Sequence, residues 1–365
     1  MREDLLYPIA LTMLSGVGAI TAKSLLARYG SAEEILKRDK LSIQGNQRLS
    51  QILSDSVQKN AALERAKREL DFIERNGLKA LFLQNKDYPY RLRECEDSPI
   101  VLYQRGETNL NSVRMVAVVG TRNITPYGKE MVEQILRELS MAVPNIVIVS
   151  GLAYGVDGNA HKASLSNGMQ TVGVVAHGLD DLYPKRHTDL ARKMIDQGGA
   201  VVTEYHSKTF ADPSQFVQRN RIIAGLSDST IVIESAEKGG ALLTAYAANA
   251  YNRDVFALPG RASDTFSQGC NNLIKRNQAQ IITCGKDLLE AMCWTPSSRQ
   301  MPEPELFVEL TPDEQKVVEI LRRKELGVGE LSREVGMAVQ KLVSMLVMLE
   351  FKGVVKQLPG NIYKA

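Results

Sequence analysis

From Val113 onward the chain alternates short, continuous apolar runs with amphipathic stretches, and this rhythm restricts the possible folds more than any other feature. The runs are Met115–Val119, Ile146–Val149, Thr171–Val175, Ala200–Thr203, Thr230–Ile233, Val255–Leu258 and Gln280–Ile282. A strand that is apolar on both faces needs cover on both faces, which points to a parallel sheet wrapped by helices. The expected fold class is α/β, with a central doubly wound, mainly parallel sheet.

Polar residues follow six of these runs: Gly120-Thr121-Arg122, Ser150-Gly151, Ala176-His177-Gly178, Glu204, Glu234 and Pro259-Gly260-Arg261. In an open parallel sheet the carboxyl ends of the strands line one edge, where ligands bind. The pattern predicts one shared site for an anionic ligand. Arg122 stands one step past a glycine turn, within reach of a phosphate. The loop Ser150-Gly151-Leu152-Ala153-Tyr154-Gly155-Val156-Asp157 precedes a helix beginning near Gly158, and its amides suit an oxyanion. It lacks the GK[ST] of a Walker loop and the spacing of a dinucleotide fingerprint, so no nucleotide cofactor is expected. Asp157 and His161, four apart, form either an acid–base pair or a tie between loop and helix.

Tyr183-Pro184-Lys185-Arg186 adds cations after the third run, and Lys208 with Phe210 brings a cation and a ring close together. Single-stranded nucleic acid is gripped by such a pairing, although Phe210 reads equally well as a packing residue. Further on, Phe216-Val217-Gln218-Arg219-Asn220-Arg221 offers two guanidinium forks suited to phosphate oxygens. Lys238-Gly239-Gly240 then opens another helix, where bare amides face outward. The competing reading of this stretch is a charged surface helix and an ordinary turn.

A chain of 365 residues implies two or three domains. Residues 1–80 read as a helical domain, in which Gly16-Val17-Gly18 with Thr21-Ala22 resembles a helix-hairpin-helix turn, a DNA contact or a simple joint in a small bundle. Gln58 to Asn76 reads as an exposed helix with i, i+4 charge pairs. Residues 81–112 form a proline-punctuated connector, 113–294 the sheet domain, 295–310 a linker and 311–365 a last domain. Thr311-Pro312-Asp313-Glu314 is a capping box, followed by helices near 312–324, 328–335 and 338–350 and a terminal hairpin through Pro359-Gly360-Asn361. That is a winged-helix order. Its would-be recognition helix, Ala338 to Phe351, is mostly Leu, Val and Met, which suits packing or protein contact better than base reading.

Net charge is +3, so DNA binding would have to come from a local cluster of cations. Four scattered cysteines and four scattered histidines predict neither a disulfide framework nor a metal site. No signal peptide and no run long enough to span a bilayer are read, and a cytoplasmic protein is expected.

The ordered blocks resemble the DNA-processing protein A family, DprA or Smf: Tyr88-Pro89, Pro99 to Tyr103, Val118-Val119-Gly120-Thr121-Arg122, Tyr127-Gly128, Ser150 to Asp157, Ala160-His161, Gly178-Leu179-Asp180, Tyr183-Pro184, Arg219 to Ser227, Thr244-Ala245 and Leu258-Pro259-Gly260. The resemblance implies a Rossmann-like centre with an N-terminal helical domain (SAM or helix-hairpin-helix in type) and a C-terminal winged helix. It also implies a non-catalytic protein that binds single-stranded DNA, protects it, loads the RecA recombinase in natural transformation, and dimerises through the Rossmann-like domain. Arg122, Lys185 and Lys208 stand where the family's DNA-contacting cations do. The full candidate set is Gly120, Arg122, Ser150, Gly151, Lys185, Lys208, Phe210, Arg219, Arg221, Lys238, Gly239 and Gly240. Val217 replaces a usual proline, and Gly240 stands where serine is more usual. A Rossmann-like nucleoside-monophosphate hydrolase using Glu204 or Glu234 is the alternative, and a transcription regulator using the winged helix is a third.

Overall fold

In the computed structural model the described residues are 2–41, 43, 46–294, 310–352, 354–358 and 362–364. They fall into two compact units, residues 1–296 and 297–365. The larger unit carries strands β1 (Lys79–Phe82), β2 (Val101–Gly106), β3 (Arg114–Val119), β4 (Ile146–Ser150), β5 (Thr171–Val174), β6 (Ala200–Thr203), β7 (Ser229–Val232), β8 (Asp254–Ala257) and β9 (Gln280–Ile281). These pair into one sheet in the order β1-β2-β6-β5-β4-β3-β7-β8-β9. All the pairings from β6 across to β9 are parallel. The fold class read from the apolar runs is the one observed.

Side-chain alternation explains why those runs are continuously apolar. Met115, Ala117 and Val119 of β3 enter the core on one face of the sheet, and Val116 and Val118 enter the core on the other. Strand β4 divides the same way, with Val147 and Val149 against Ile146 and Ile148. Each buried Val, Ile or Met side chain among them contributes roughly 1.5–3 kcal/mol of transfer free energy.

Winding proceeds from β3 outward through β4, β5 and β6, then returns to start again at β7 on the other side of β3. The connecting helices therefore lie on opposite faces, and the loops leaving β3 and β7 part at their carboxyl ends. That reversal positions the candidate site.

Helices α1 (Arg2–Thr12), α2 (Ala19–Tyr29), α3 (Ala32–Lys37), α4 (Gln47–Ser54) and α5 (Ser56–Arg75) precede the sheet. They share one hydrophobic core with β1, β2, the β6 residue Val201, the loop residue Leu179, and Leu190 and Met194 of the helix before β6. Helix α5, expected to be exposed, buries Ala62, Ala66, Glu69, Leu70 and Ile73. Its charge pairs disguised an apolar stripe.

The stretch expected as a connector is built into the sheet. Strand β2 runs antiparallel to β6, and β1 antiparallel to β2. Between them, helix α6 (Tyr90–Glu94) carries the fully buried Arg91, which grips Asp228 at 2.6 and 3.0 Å. The Tyr88 hydroxyl donates to the Pro99 carbonyl at 2.5 Å. The remaining helices of this unit are α7 (Pro126–Ala142), α8 (Val156–Ser166), α9 (Thr188–Asp196), α10 (Pro213–Leu226), α11 (Ala241–Ala250), α12 (Gln268–Lys275) and α13 (Gly285–Ala291).

The smaller unit contains α14 (Pro312–Arg323), β10 (Leu326–Gly327), α15 (Val328–Val335), α16 (Val339–Phe351), β11 (Lys356–Leu358) and β12 (Ile362–Lys364). Its strands pair in the order β10-β12-β11, the winged-helix arrangement. Thr311 and Glu314 form the expected capping box on α14. Leu342, Leu346 and Leu349 of α16 face the core, while Val339, Val343, Val347 and Met348 are exposed. Of the expected linker only Leu310 is described; residues 295–309 and the hairpin turn Pro359-Gly360-Asn361 lie outside the described residues. Among the described residues no helix is long and apolar enough to cross a membrane, and no group of three or more His, Cys, Asp or Glu could hold a metal ion.

Candidate nucleic-acid interface

A crevice of about 820 Å³ opens at the reversal between β3 and β7. Gly120, Thr121 and Arg122 line it from β3, and Gly239 and Gly240 line it at the start of α11. Asp180, Tyr183 and Phe210 form part of the far wall.

Arg122 is exposed, and its guanidinium sits 5.5 Å from the centre of the Phe216 ring. Tyr183 packs against the same ring at 5.8 Å between centroids. The crevice thus combines an exposed cation with two aromatic rings that pack at a tilt of 57°. Phe210 is 82% exposed, which removes the packing reading of that residue.

The loop that carries Lys208 and Phe210 is held from the N-terminal helices. The Glu69 carboxylate of α5 accepts from the Ser207 amide at 2.8 Å and from its hydroxyl at 2.6 Å. Arg65 donates to the Ser207 carbonyl at 2.6 Å. The Lys208 amide donates to Asp180 at 2.8 Å, with Lys208 itself in the left-handed region at φ 64. Sequence reasoning missed Arg65 and Glu69. The available signal was their i, i+4 spacing, which was read as a surface pair.

Lys185 is exposed, holds Asp181, and lines a smaller hollow of about 420 Å³ shared with Asp180 and Asp181. Asp180, Asp181 and Leu182 border both hollows, so Lys185 and Arg122 lie on either side of one acidic turn. Lys238 is exposed just before Gly239.

Four of the expected phosphate contacts take a different role. Arg219 is only 4% exposed, and its Nη1 donates to the carbonyls of Gly151 and Val174. Burial pushes its pKa down to about 10, opposed by the neighbouring Asp157. Ser150 is fully buried and donates to the Val118 carbonyl at 2.6 Å, and Gly151 lies directly against the Arg219 guanidinium. Arg221 is engaged by Glu204 at 2.5 Å and faces Asp97 at 3.8 Å. On one helix, residues two apart point to different sides. Arg219 therefore turns into the sheet and Arg221 toward a carboxylate the local sequence could not reveal.

These buried groups shape the loop that follows β4. Gly155 has φ +76, and a Cβ there would fall 2.1 Å from the Thr121 carbonyl, so the two loops meet where only glycine fits. Asp157 accepts from the Ala153 amide at 3.3 Å, tying the loop to α8. His161 bonds to Thr171 at 2.7 Å instead of to Asp157, so the two are not an acid–base pair. Burial, aided by the neighbouring His187 and Arg219, pushes the His161 pKa down to about 3 and keeps the ring neutral.

The two departures from the family pattern have simple structural settings. Helix α10 starts one turn before Val217, at Pro213, under an Asp212–Gln215 capping box. Gly240 has ordinary helical angles and nothing within 4 Å of where a Cβ would stand.

Comparison with known proteins agrees with this architecture. Residues 79–293 match the family described as DNA recombination-mediator protein A, and residues 300–361 match the DprA winged helix domain. Protein Smf of Escherichia coli is 34% identical over 285 residues, covering 75% of this chain and 74% of that protein. DNA processing protein DprA of Bacillus subtilis is 38% identical over 217 residues, covering 59% of this chain and 72% of the relative. The crystal structure of DprA from Streptococcus pneumoniae superposes with a TM-score of 0.64 at 31% identity, covering 78% of this chain and 97% of that one. DNA processing protein A from Helicobacter pylori, described for its single-stranded DNA binding mode, superposes with a TM-score of 0.53 at 30% identity, covering 60% and 96%. With more than half its length matched by one family and its fold shared with solved members, the chain belongs to the DNA recombination-mediator protein A family, DprA/Smf.

Proposed function

We propose that the protein binds single-stranded DNA along the carboxyl edge of the sheet, with Arg122 as its central phosphate contact. The observation that carries this reading is an exposed guanidinium over an aromatic ring, in a crevice at the reversal of winding. Cations along a groove with rings for bases suit a flexible strand, since every base has a face to stack. Gly120, Lys185, Lys208, Phe210, Lys238, Gly239 and Gly240 complete the proposed contact set. A relative described for its single-stranded DNA binding mode supports it.

In this reading the protein is a non-catalytic cytoplasmic homodimer, joined through the sheet domain, that protects incoming DNA and loads the RecA recombinase during transformation. The proposed division is a helical domain 1–80, a connector 81–112 that lends β2 to the sheet, the sheet domain 113–294, the linker 295–310 and the winged helix 311–365. Two engaged carboxylates favour binding over hydrolysis of nucleoside monophosphates. Both Glu234 oxygens accept from Thr125, and Glu204 holds Arg221. Helix α16 exposes Val339, Val343, Val347 and Met348, and Lys341 pairs with Asp313 at 3.1 Å, which favours protein contact over base reading by the winged helix.

Fluorescence anisotropy with labelled oligothymidylate and with duplex DNA tests the proposal. Tighter single-strand binding, weakened by salt and by Arg122→Ala, is expected. Equal binding of both DNAs, indifferent to Arg122→Ala, would contradict it.

A further inference from the structure

A second cavity, of about 960 Å³, lies beside the crevice. Thr125, Pro126 and Tyr127 line it from the start of α7, and Arg261 and Phe266 line it from the loop after β8. The two hollows meet along a seam where the Thr121 amide donates to the Glu234 carbonyl at 2.7 Å. Thr121 and Arg122 face the first hollow, and Thr125 to Tyr127 face the second. Across the seam, Ser235 lines the first and Glu234 the second.

Resting on the single-strand reading above, we propose that this cavity is a second polynucleotide subsite, in which Arg261 takes a phosphate and Tyr127 stacks a base. Arg261 is exposed, and its guanidinium has no hydrogen bond or ion pair among the described residues. Its loop is nevertheless fixed. Asn271 bonds both the amide and the carbonyl of Gly260, at 3.2 and 2.9 Å, and the Asp264 amide closes a turn onto the Arg261 carbonyl at 3.1 Å. The cation is therefore held at the cavity wall by ordered backbone.

Tyr127 is pinned through its hydroxyl to the Pro259 carbonyl at 3.3 Å while remaining 46% exposed. A ring anchored at one end and open along its side is a platform for a base. Two carboxylates also border the cavity. Glu234 is directed at the α7 N-terminus, both oxygens accepting from Thr125, so its charge is met within the protein. Asp264 is exposed on the Arg261 loop and offsets part of that cation's charge, so the subsite matches one phosphate. A strand anchored at Arg122 reaches this subsite by crossing the seam.

Binding of two oligothymidylates tests the inference, one of about 4 nucleotides to fill the first crevice and one of about 16 to run past it. With the longer strand, Arg261→Ala should reduce the slope of log affinity against log salt by about 0.7. Tyr127→Ala should weaken the longer strand at least about fivefold, with Tyr127→Phe restoring it. Neither exposed-site variant should alter binding of the shorter strand, whereas Arg122→Ala should weaken both. If the wild-type protein binds neither strand, the single-strand reading falls and takes this inference with it. If Arg122→Ala weakens both while Arg261→Ala and Tyr127→Ala leave both unchanged, the second subsite alone is overturned.

Discussion

The guanidinium of Arg219 fills the space beside Gly151: a Cβ on residue 151 would lie 2.6 Å from Cζ, and Nη1 donates to the Gly151 carbonyl at 2.5 Å. The arginine thereby sets the path of the loop between β4 and α8. Gly151→Ala should displace a buried cation from its acceptors and cost about 2–4 kcal/mol. Urea unfolding measures the loss. A stability within experimental error of wild type would mean that the loop moves aside freely and that the arginine does not shape it.

A second prediction concerns acid. An unfolded histidine titrates near about 6.5, whereas the buried His161 does so near about 3. Above the higher value both states are neutral, and this residue's full contribution is present. As pH falls below it, the unfolded chain takes up a proton that the folded chain refuses. Stability should then fall with a slope approaching about 1.4 kcal/mol per pH unit. His161→Gln should remove that component while lowering stability at neutral pH through the altered bond to Thr171. Denaturation series at several pH values, run on both proteins, decide the matter; parallel curves would refute it.

A third rests on Gly240, which has φ −62 and open space around its missing side chain. Gly240→Ser should be accommodated without strain, stabilising the fold by about 0.4–1 kcal/mol through a less free unfolded chain. In the proposed site the hydroxyl also adds a phosphate contact, so single-strand affinity should rise. A destabilised variant with weaker binding would show that the turn is tighter than its geometry indicates.

A fourth uses the division at residue 296. A chain ending at Pro296 should remain folded and keep its single-strand affinity, because every proposed contact lies in the first unit. Loss of all DNA binding on truncation would move the interface to the winged helix and favour the regulator reading.

Much of this architecture was legible because buried parallel strands leave a plain trace. Ile146 to Val149 can face two cores only if helices cover both sides. The edge strands were harder to read. Prolines at 89 and 99 break the local pattern, and their neighbours join the sheet through the long-range Arg91–Asp228 pair. At the site, Arg122 was readable because a glycine turn at a strand end leaves a side chain free. Arg219 and Arg221 were not, since their partners Gly151, Val174 and Glu204 are distant in sequence. Composition cannot distinguish a cation offered to a ligand from one holding the fold together.

The most direct test is a crystal structure of the protein with a short oligothymidylate bound. The account predicts a phosphate within hydrogen-bond distance of the Arg122 guanidinium, in the crevice between the β3 and β7 loops. A strand seated instead on the helices before β1 or on the winged helix, with that crevice empty, would contradict it.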